Sequence, residues 1–462
     1  MINYTQEQER IFNVCCGMAI NEVASITAPA GSGKTSTLIG LSNKLKDKKI
    51  LYLAYNKSIA QESKRKFPKN VFVTTIHSLA YQSMNIQKDM LKDKDFVPIE
   101  ISEYFNCELE IADSALKILN AFLNSSFKNF NQSMVEKRLD VKIACEIWNL
   151  MCDRKIKITH SAYLKEYQVS KSKNLNLYDY ILLDEAQDSN PVTLDIFLSF
   201  NASKILVGDP HQSIYSFRGS VNAMSEVNSD YRLFLTNCFR CSEEIVEKAN
   251  NVLSTLKEDC VPMISRASFP ENFKIKTRAI ITRTNSKIIE LLSNCFEDKN
   301  LNYTILRSPE SIFKTAIAIN FFLRGEKEKI KDFDYLLKFK NKKELVEYIK
   351  KTSDVELESS FKIAQRYGNG LFYMKNFANE LYKKRKNNSS AIYLVTAHTS
   401  KGLEFDSVEL KEDFPDIMKM INEGNKTKAE INEEINLYYV AITRAKFELI
   451  DNTRNEYFNS IF

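Results

Sequence analysis

Residues Val23-Ala24-Ser25-Ile26-Thr27-Ala28-Pro29-Ala30-Gly31-Ser32-Gly33-Lys34-Thr35 decide how this chain folds. The first five form a short apolar run with the look of a buried strand, and helix-forming residues follow from Ser36 through Leu45. Strand, glycine-rich turn and helix N-terminus in that order make a phosphate-binding loop. Gly31 and Gly33 let backbone N–H groups curl around a β-phosphate, Lys34 reaches the β/γ oxygens, and Thr35 offers a hydroxyl to Mg²⁺. Ala30, Ser32 and Ser36 complete the expected contacts to a nucleoside triphosphate. The first position of the usual pattern is Ala28 rather than Gly, so a Gly/Ser loop that merely caps a helix is the plain alternative.

Composition sets the frame. The 462 residues allow two to four domains with sizeable cores. Hydrophobic content of 44% and charged content of 27% are those of an ordinary globular chain. No apolar run approaches the length of a membrane span, and residues 1–10 are polar and acidic rather than signal-like, so a cytoplasmic protein with no membrane partner is expected. The nine scattered cysteines fit reduced thiols. Cys238 and Cys241 have C-x-x-C spacing, but with four histidines and no second such pair a zinc or iron–sulfur site is not expected. The net charge of +6 permits a nucleic-acid groove without requiring one.

Apolar runs recur along the chain and end in residues that carry chemistry. Ile50-Leu51-Tyr52-Leu53-Ala54 ends at Tyr55-Asn56-Lys57, Val71-Phe72-Val73-Thr74 at Thr75-Ile76-His77, Tyr180-Ile181-Leu182-Leu183 at Asp184-Glu185, and Ile205-Leu206-Val207 at Gly208-Asp209. Open parallel α/β sheets place their sites at the carboxyl ends of strands in this way. Ala279-Ile280-Ile281-Thr282 and Ile392-Tyr393-Leu394-Val395 start a second set. The fold class is therefore α/β with two parallel-sheet domains. The first is expected over 1–80 and 176–268, interrupted by a helical accessory insert at 81–175. The second is expected over 269–462, with a short helical insert at about 311–390 that ends in the basic run Lys383-Lys384-Arg385-Lys386, read as a solvated linker.

The second strong signal is Asp184-Glu185-Ala186-Gln187-Asp188. Downstream of a phosphate loop, Asp184 can hold Mg²⁺ through its water shell while Glu185 orients and deprotonates the attacking water. Further on stand Gly208-Asp209-Pro210-His211-Gln212-Ser213-Ile214-Tyr215-Ser216-Phe217-Arg218-Gly219, Asn237-Cys238-Phe239-Arg240, Thr396-Ala397-His398-Thr399-Ser400-Lys401-Gly402-Leu403-Glu404-Phe405 and Tyr439-Val440-Ala441-Ile442-Thr443-Arg444-Ala445-Lys446. With Tyr4-Thr5-Gln6-Glu7-Gln8 at the start, these motifs resemble in type and order those of UvrD/Rep-like superfamily 1 helicases. Tyr55-Asn56-Lys57-Ser58-Ile59-Ala60 and Gly402-Leu403-Glu404-Phe405-Asp406 are most similar to the F-box DNA helicase branch, here expected without an F-box region ahead of the motor and without a fused nuclease domain.

The resemblance implies two RecA-like motor domains, ATP and Mg²⁺ as cofactors, and a set of roles. Gln8 reads the adenine edge and Phe239 stacks on its face. Arg240 and Arg444 are paired arginine fingers on the γ-phosphate, Gln212 senses that phosphate, and Glu404 lies near the ribose. For DNA it implies Tyr215, Phe217 and Arg218, where aromatic faces adjoin a cation, with Tyr55, Asn56, His77 and His398 as weaker contacts. The loop Gln212-Ser213-Ile214-Tyr215 matches the 3′→5′ branch. The implied enzyme is a monomeric ATP-dependent 3′→5′ DNA helicase or translocase. It would act on single strands and on junctions with a 3′ tail, in repair, recombination or replication. A motor that strips proteins from single strands with little unwinding uses the same motifs, and a non-catalytic DNA-binding subunit is the remote alternative. The short interval at 311–390 leads us to expect little of the family's regulatory outer subdomain.

Overall fold

The computed structural model describes residues 3–170, 177–214, 222–258, 260–298, 302–331, 333–352, 355–384, 392–424 and 426–459. Contacts divide the chain into two compact units, Met1–Phe239 and Arg240–Phe462.

The first unit is built on a parallel sheet of six strands: β1 (Val23–Thr27), β2 (Ile50–Ala54), β3 (Val71–Thr75), β4 (Tyr180–Leu183), β5 (Ser203–Gly208) and β6 (Tyr231–Phe234), in the order β3-β2-β4-β5-β1-β6. A short strand, β7 (Asn237–Cys238), follows near the end of the unit. The period of two along a strand sorts the side chains between two layers. Leu51, Leu53, Ile181 and Leu183 enter one core cluster, whereas Ile50, Tyr52, Ala54, Tyr180 and Leu182 enter the other. Both faces are covered, which is why these strands read as unbroken apolar runs.

The second cluster is closed by helices Gln6–Cys16 and Lys34–Lys44, through Ile11, Phe12, Leu38 and Leu41. The first is closed by the helices between β3 and β4. Leu116, Leu119 and Phe122 of helix Leu109–Asn124, Ile143 and Ile147 of helix Leu139–Cys152, and Tyr163 and Tyr167 of helix His160–Val169 belong to one cluster with the sheet residues. The segment expected as an accessory insert thus shares its core with the sheet.

The second unit carries β8 (Ile264–Ser265) and a five-stranded sheet of β9 (Arg278–Thr282), β10 (Tyr303–Ile305), β11 (Ile392–Thr396), β12 (Phe405–Leu410) and β13 (Ala445–Asp451), in the order β10-β11-β9-β12-β13. Every pair in this sheet is parallel. Four longer helices, Pro309–Leu323, Lys342–Thr352, Val355–Tyr367 and Gly370–Lys384, lie between β10 and β11. Residues 240–268, grouped from sequence with the first domain, pack in this second unit. Ser242 N donates to Lys446 O at 2.7 Å, and Lys248 on helix Glu243–Leu256 pairs with Asp451 at 2.8 Å, both side chains almost fully buried. Tyr438 also donates to Asp451, so this buried carboxylate ties two helices to the edge strand.

Candidate functional site

β1, β5 and β4 are neighbours, and their carboxyl ends bring three motifs together. Thr27 stands opposite Gly208 in the register, and Ala28 N donates to Gly208 O at 2.8 Å. The loop then turns through Gly31 and Gly33, both left-handed (φ 70° and 83°), into helix Lys34–Lys44. This backbone is strained for any residue with a Cβ, and it turns N–H groups toward one point at a helix N-terminus. Lys34 Nζ rests on Ala28 O at 3.2 Å and lies 3.9 Å from Glu185 Oε1. Ser32 Oγ is buried without a hydrogen-bond partner, Thr35 is half-buried and Ser36 exposed. An unsatisfied hydroxyl inside a left-handed glycine loop fits a triphosphate. The donor set of one hydroxyl (Thr35) and one carboxylate (Asp184) fits Mg²⁺, which keeps much of its water shell.

Asp184 follows β4 and is buried at 6% exposure. Tyr52, on the adjacent strand β2, donates its phenol to Asp184 Oδ2, and Glu185 N donates to Oδ1 at 3.0 Å. Burial, reinforced by the Glu185 charge, raises the Asp184 carboxyl above the ordinary aspartate range, and the Tyr52 bond and Lys34 work against that rise. Glu185 sits in a left-handed backbone (φ 51°), rare for a residue with a side chain. Beside it, the loop after β5 folds on its own carboxylate: Asp209 accepts from His211 N at 3.0 Å and from Gln212 Nε2 at 2.7 Å. Gln212 is therefore anchored at the end of β5, the strand beside β4.

Gln8 and Phe239 approach the phosphate loop from other elements. Thr5 and Gln8 form a capping box, Thr5 N donating to Gln8 Oε1 at 3.0 Å, while Gln8 Nε2 donates to Thr37 Oγ1 at 2.9 Å and Thr37 in turn to Gly33 O. Phe239 N donates to Gly31 O at 2.9 Å, yet the residue is 49% exposed. Glu7 fixes that segment, accepting from Thr236 N, Thr236 Oγ1 and Asn237 Nδ2. Glu7, Thr37 and Tyr52 were not singled out from sequence; each acts through a partner 29 to 230 positions away. The signal available beforehand was Glu7 within the quoted Gln6-Glu7-Gln8.

In the second unit three expected residues gather. Arg240 Nε pairs with Glu404 Oε2 at 2.8 Å. Arg444 is buried and donates from Nε to Val440 O at 2.9 Å, from Nη1 to Leu403 O at 3.2 Å and from Nη2 to Thr443 Oγ1 at 3.2 Å. Of the DNA candidates in the first unit, Tyr55 and Asn56 follow β2 and His77 follows β3, its neighbour in the sheet. Tyr55 is 39% exposed, Asn56 caps helix Lys57–Lys66 by accepting from Ile59 N, and His398 lies in the short helix Ala397–Ser400. His77 packs edge-on against Tyr163 of the helical insert at 5.8 Å, its Nδ1 buried and unpartnered. Burial and the neighbouring His160 push it down to about 4. Tyr215, Phe217 and Arg218 lie outside the described residues.

Among the described residues no helix is long and apolar enough to cross a membrane. Residues 14–218 match an AAA domain family, and residues 311–453 match the UvrD-like helicase C-terminal domain. The chain is similar to F-box DNA helicase 1 of Gallus gallus (31% identity over 96% of this chain and 48% of the relative). It is also similar to F-box DNA helicase protein 1 of Schizosaccharomyces pombe (29% identity, 97% of this chain and 57% of the relative) and to a probable DNA helicase II homolog of Mycoplasma pneumoniae (23%, 94% and 82%). The chain spans about half the length of the two F-box relatives it matches. Two all-parallel sheets, a phosphate loop beside an acidic pair, and matches at both ends place this chain in the UvrD-like superfamily 1 helicases.

Proposed function

We propose that this chain is an ATP-dependent DNA helicase or translocase that moves 3′→5′ on single-stranded DNA. The observation that carries the reading is the meeting of Lys34, Asp184 and Glu185 at the ends of β1 and β4, with Gln212 anchored on Asp209 at the end of β5 between them. Lys34 and the N–H groups of residues 30–36 would bind the phosphates, and Thr35 and Asp184 would hold Mg²⁺, which supplies neutralising charge at the β- and γ-oxygens. Glu185 takes the proton of the attacking water, and Gln212 contacts the γ-phosphate. Gln8 binds the adenine edge, Phe239 stacks on its face and Glu404 binds the ribose. Arg240 and Arg444 act as arginine fingers, a role worth about 10³–10⁵ in rate. Arg240 must exchange its Glu404 partner for phosphate to do so. Tyr215, Phe217 and Arg218 grip DNA by stacking and phosphate contact, aided by Tyr55, Asn56, His77 and His398.

The test is ATP turnover with and without single-stranded DNA, followed by unwinding of duplexes with 3′ or 5′ tails. Turnover stimulated by DNA, weakened by salt and lost in Lys34→Ala is expected, with unwinding from 3′ tails only. Stimulated turnover with streptavidin displacement but no strand separation would make the chain a protein-stripping translocase. Lack of turnover under every condition would refute the enzyme.

A further inference from the structure

The proposed function gives no task to Gln187, a fully buried polar side chain beside the acidic pair. Gln187 lies between Glu185 and the loop that follows β5, at 0% exposure. Its Nε2 donates to Glu185 Oε2 at 2.5 Å, and its Oε1 accepts from Asp209 N at 3.1 Å. Its backbone O accepts from Ser213 Oγ at 3.0 Å. The loop therefore grips Gln187 at two points, and Gln187 grips the carboxylate. There is no slack in the arrangement: a Cβ at Gly208 would lie 2.3 Å from Gln187 Oε1 and 3.2 Å from the backbone N of Ala186 and of Gln187.

A primary amide serves both ends at once, its NH₂ donating to the carboxylate and its oxygen accepting from the N–H. A carboxylate at 187 would face Glu185 with like charge, and an apolar side chain would leave a buried N–H unsatisfied. Glu185 also comes from a left-handed backbone, so contacts rather than a regular element fix its side chain.

We propose that Gln187 is a positioning residue that couples Glu185 to the loop 209–213, so that movement of that loop resets the reach of the catalytic carboxylate. This rests on Glu185 being the base, as argued above. Displacement of a reacting group by 1 Å costs about 10²-fold in rate, so a small loop movement is enough to gate hydrolysis.

The experiment measures kcat and KM for ATP in the full chain with and without oligo-dT. Affinity for a fluorescent ADP analogue and thermal stability are measured in the same samples. Gln187→Met is expected to lower kcat by about 10²-fold, with KM and analogue affinity within about twofold, and to bring the ratio of rates with and without DNA toward one. Ser213→Ala leaves both amide bonds in place, so it is expected to reduce stimulation by DNA and keep the analogue affinity unchanged. Equal losses in kcat and analogue affinity for Gln187→Met would make the residue merely structural and overturn the proposal. So would an unchanged kcat, or full DNA stimulation in both variants. If the wild-type chain hydrolyses ATP without any response to DNA, the functional reading fails, while the kcat of Gln187→Met still decides whether the amide positions Glu185.

Discussion

Two side chains show how single groups are held near the proposed site. Tyr52 points its phenol at Asp184 from inside the sheet. Burial, followed by the Asp184 charge, pushes this phenol far above the tyrosine range, so it stays protonated and can donate to Asp184. Tyr52→Phe keeps the ring and removes the bond, leaving a buried carboxylate oxygen short of a donor. The variant should lose about 1–3 kcal/mol, read by urea denaturation. His77 gives a pH test. Its folded value of about 4 lies below the ordinary 6.5, so at neutral pH both folded and unfolded chains carry it uncharged. As the pH falls from 6.5 toward 4 the unfolded chain takes up a proton that the folded chain refuses, and stability falls. The loss attributable to this group is at most about 3 kcal/mol, measured as the difference between the wild-type and His77→Phe denaturation curves at pH 7 and pH 4.5. The identity of the phosphate loop and acidic pair was legible in the residues alone, because Gly31, Gly33, Lys34, Asp184 and Glu185 act within a few positions of one another or of a strand end. The donors that hold them were not: Tyr52 is read from sequence as one more apolar strand residue until its neighbour across the sheet is known.

The strands themselves divide along the same line. β1, β2, β4 and β5, and β9 with β11, show as apolar runs because both of their faces are covered. The strands not called out in advance are mostly edges. β6 buries only Leu233 and β13 only Ala445, and β10 has only three residues. An edge strand half in solvent has no continuous apolar signal to read. Short side-chain clamps then set where elements begin. Asp413, just after β12, accepts from Arg283 N at 3.0 Å, Thr284 N at 2.9 Å and Thr284 Oγ1 at 3.0 Å, pinning the end of β9 to the start of helix Asn285–Glu297. Arg283 continues the clamp with a two-pronged pair to Glu434. Removing these acceptors in Asp413→Ala should cost about 1–3 kcal/mol and speed amide exchange in the first turn of that helix, as followed by hydrogen–deuterium exchange.

At the scale of the whole molecule, the segment read from sequence as an inserted domain is better described as half of a core. Ile147 and Met151 of the insert and Leu51 and Ile181 of the sheet belong to one cluster, all fully buried. Periodicity reveals the helices at 81–175 but not what their apolar faces cover, since that depends on strands on either side of them in sequence. Excision of residues 92–157, whose ends lie close because Lys92 N donates to Ile158 O at 2.9 Å, would uncover one face of the sheet. We expect the excised chain to lose cooperative thermal unfolding and to bind the dye ANS, whereas an appendage could be removed without either effect. The order of the first sheet has a consequence for how the protein is made. β1, which delivers the phosphate loop, pairs Val23 with Lys204, roughly 180 residues further on, and its other neighbour, β6, comes later still. On a ribosome adding about 5–20 residues per second, the nascent nucleotide loop therefore waits about 10–40 s for the strand that completes it. Through that interval its apolar strand stands without either partner, and this is where a chaperone would find the growing chain.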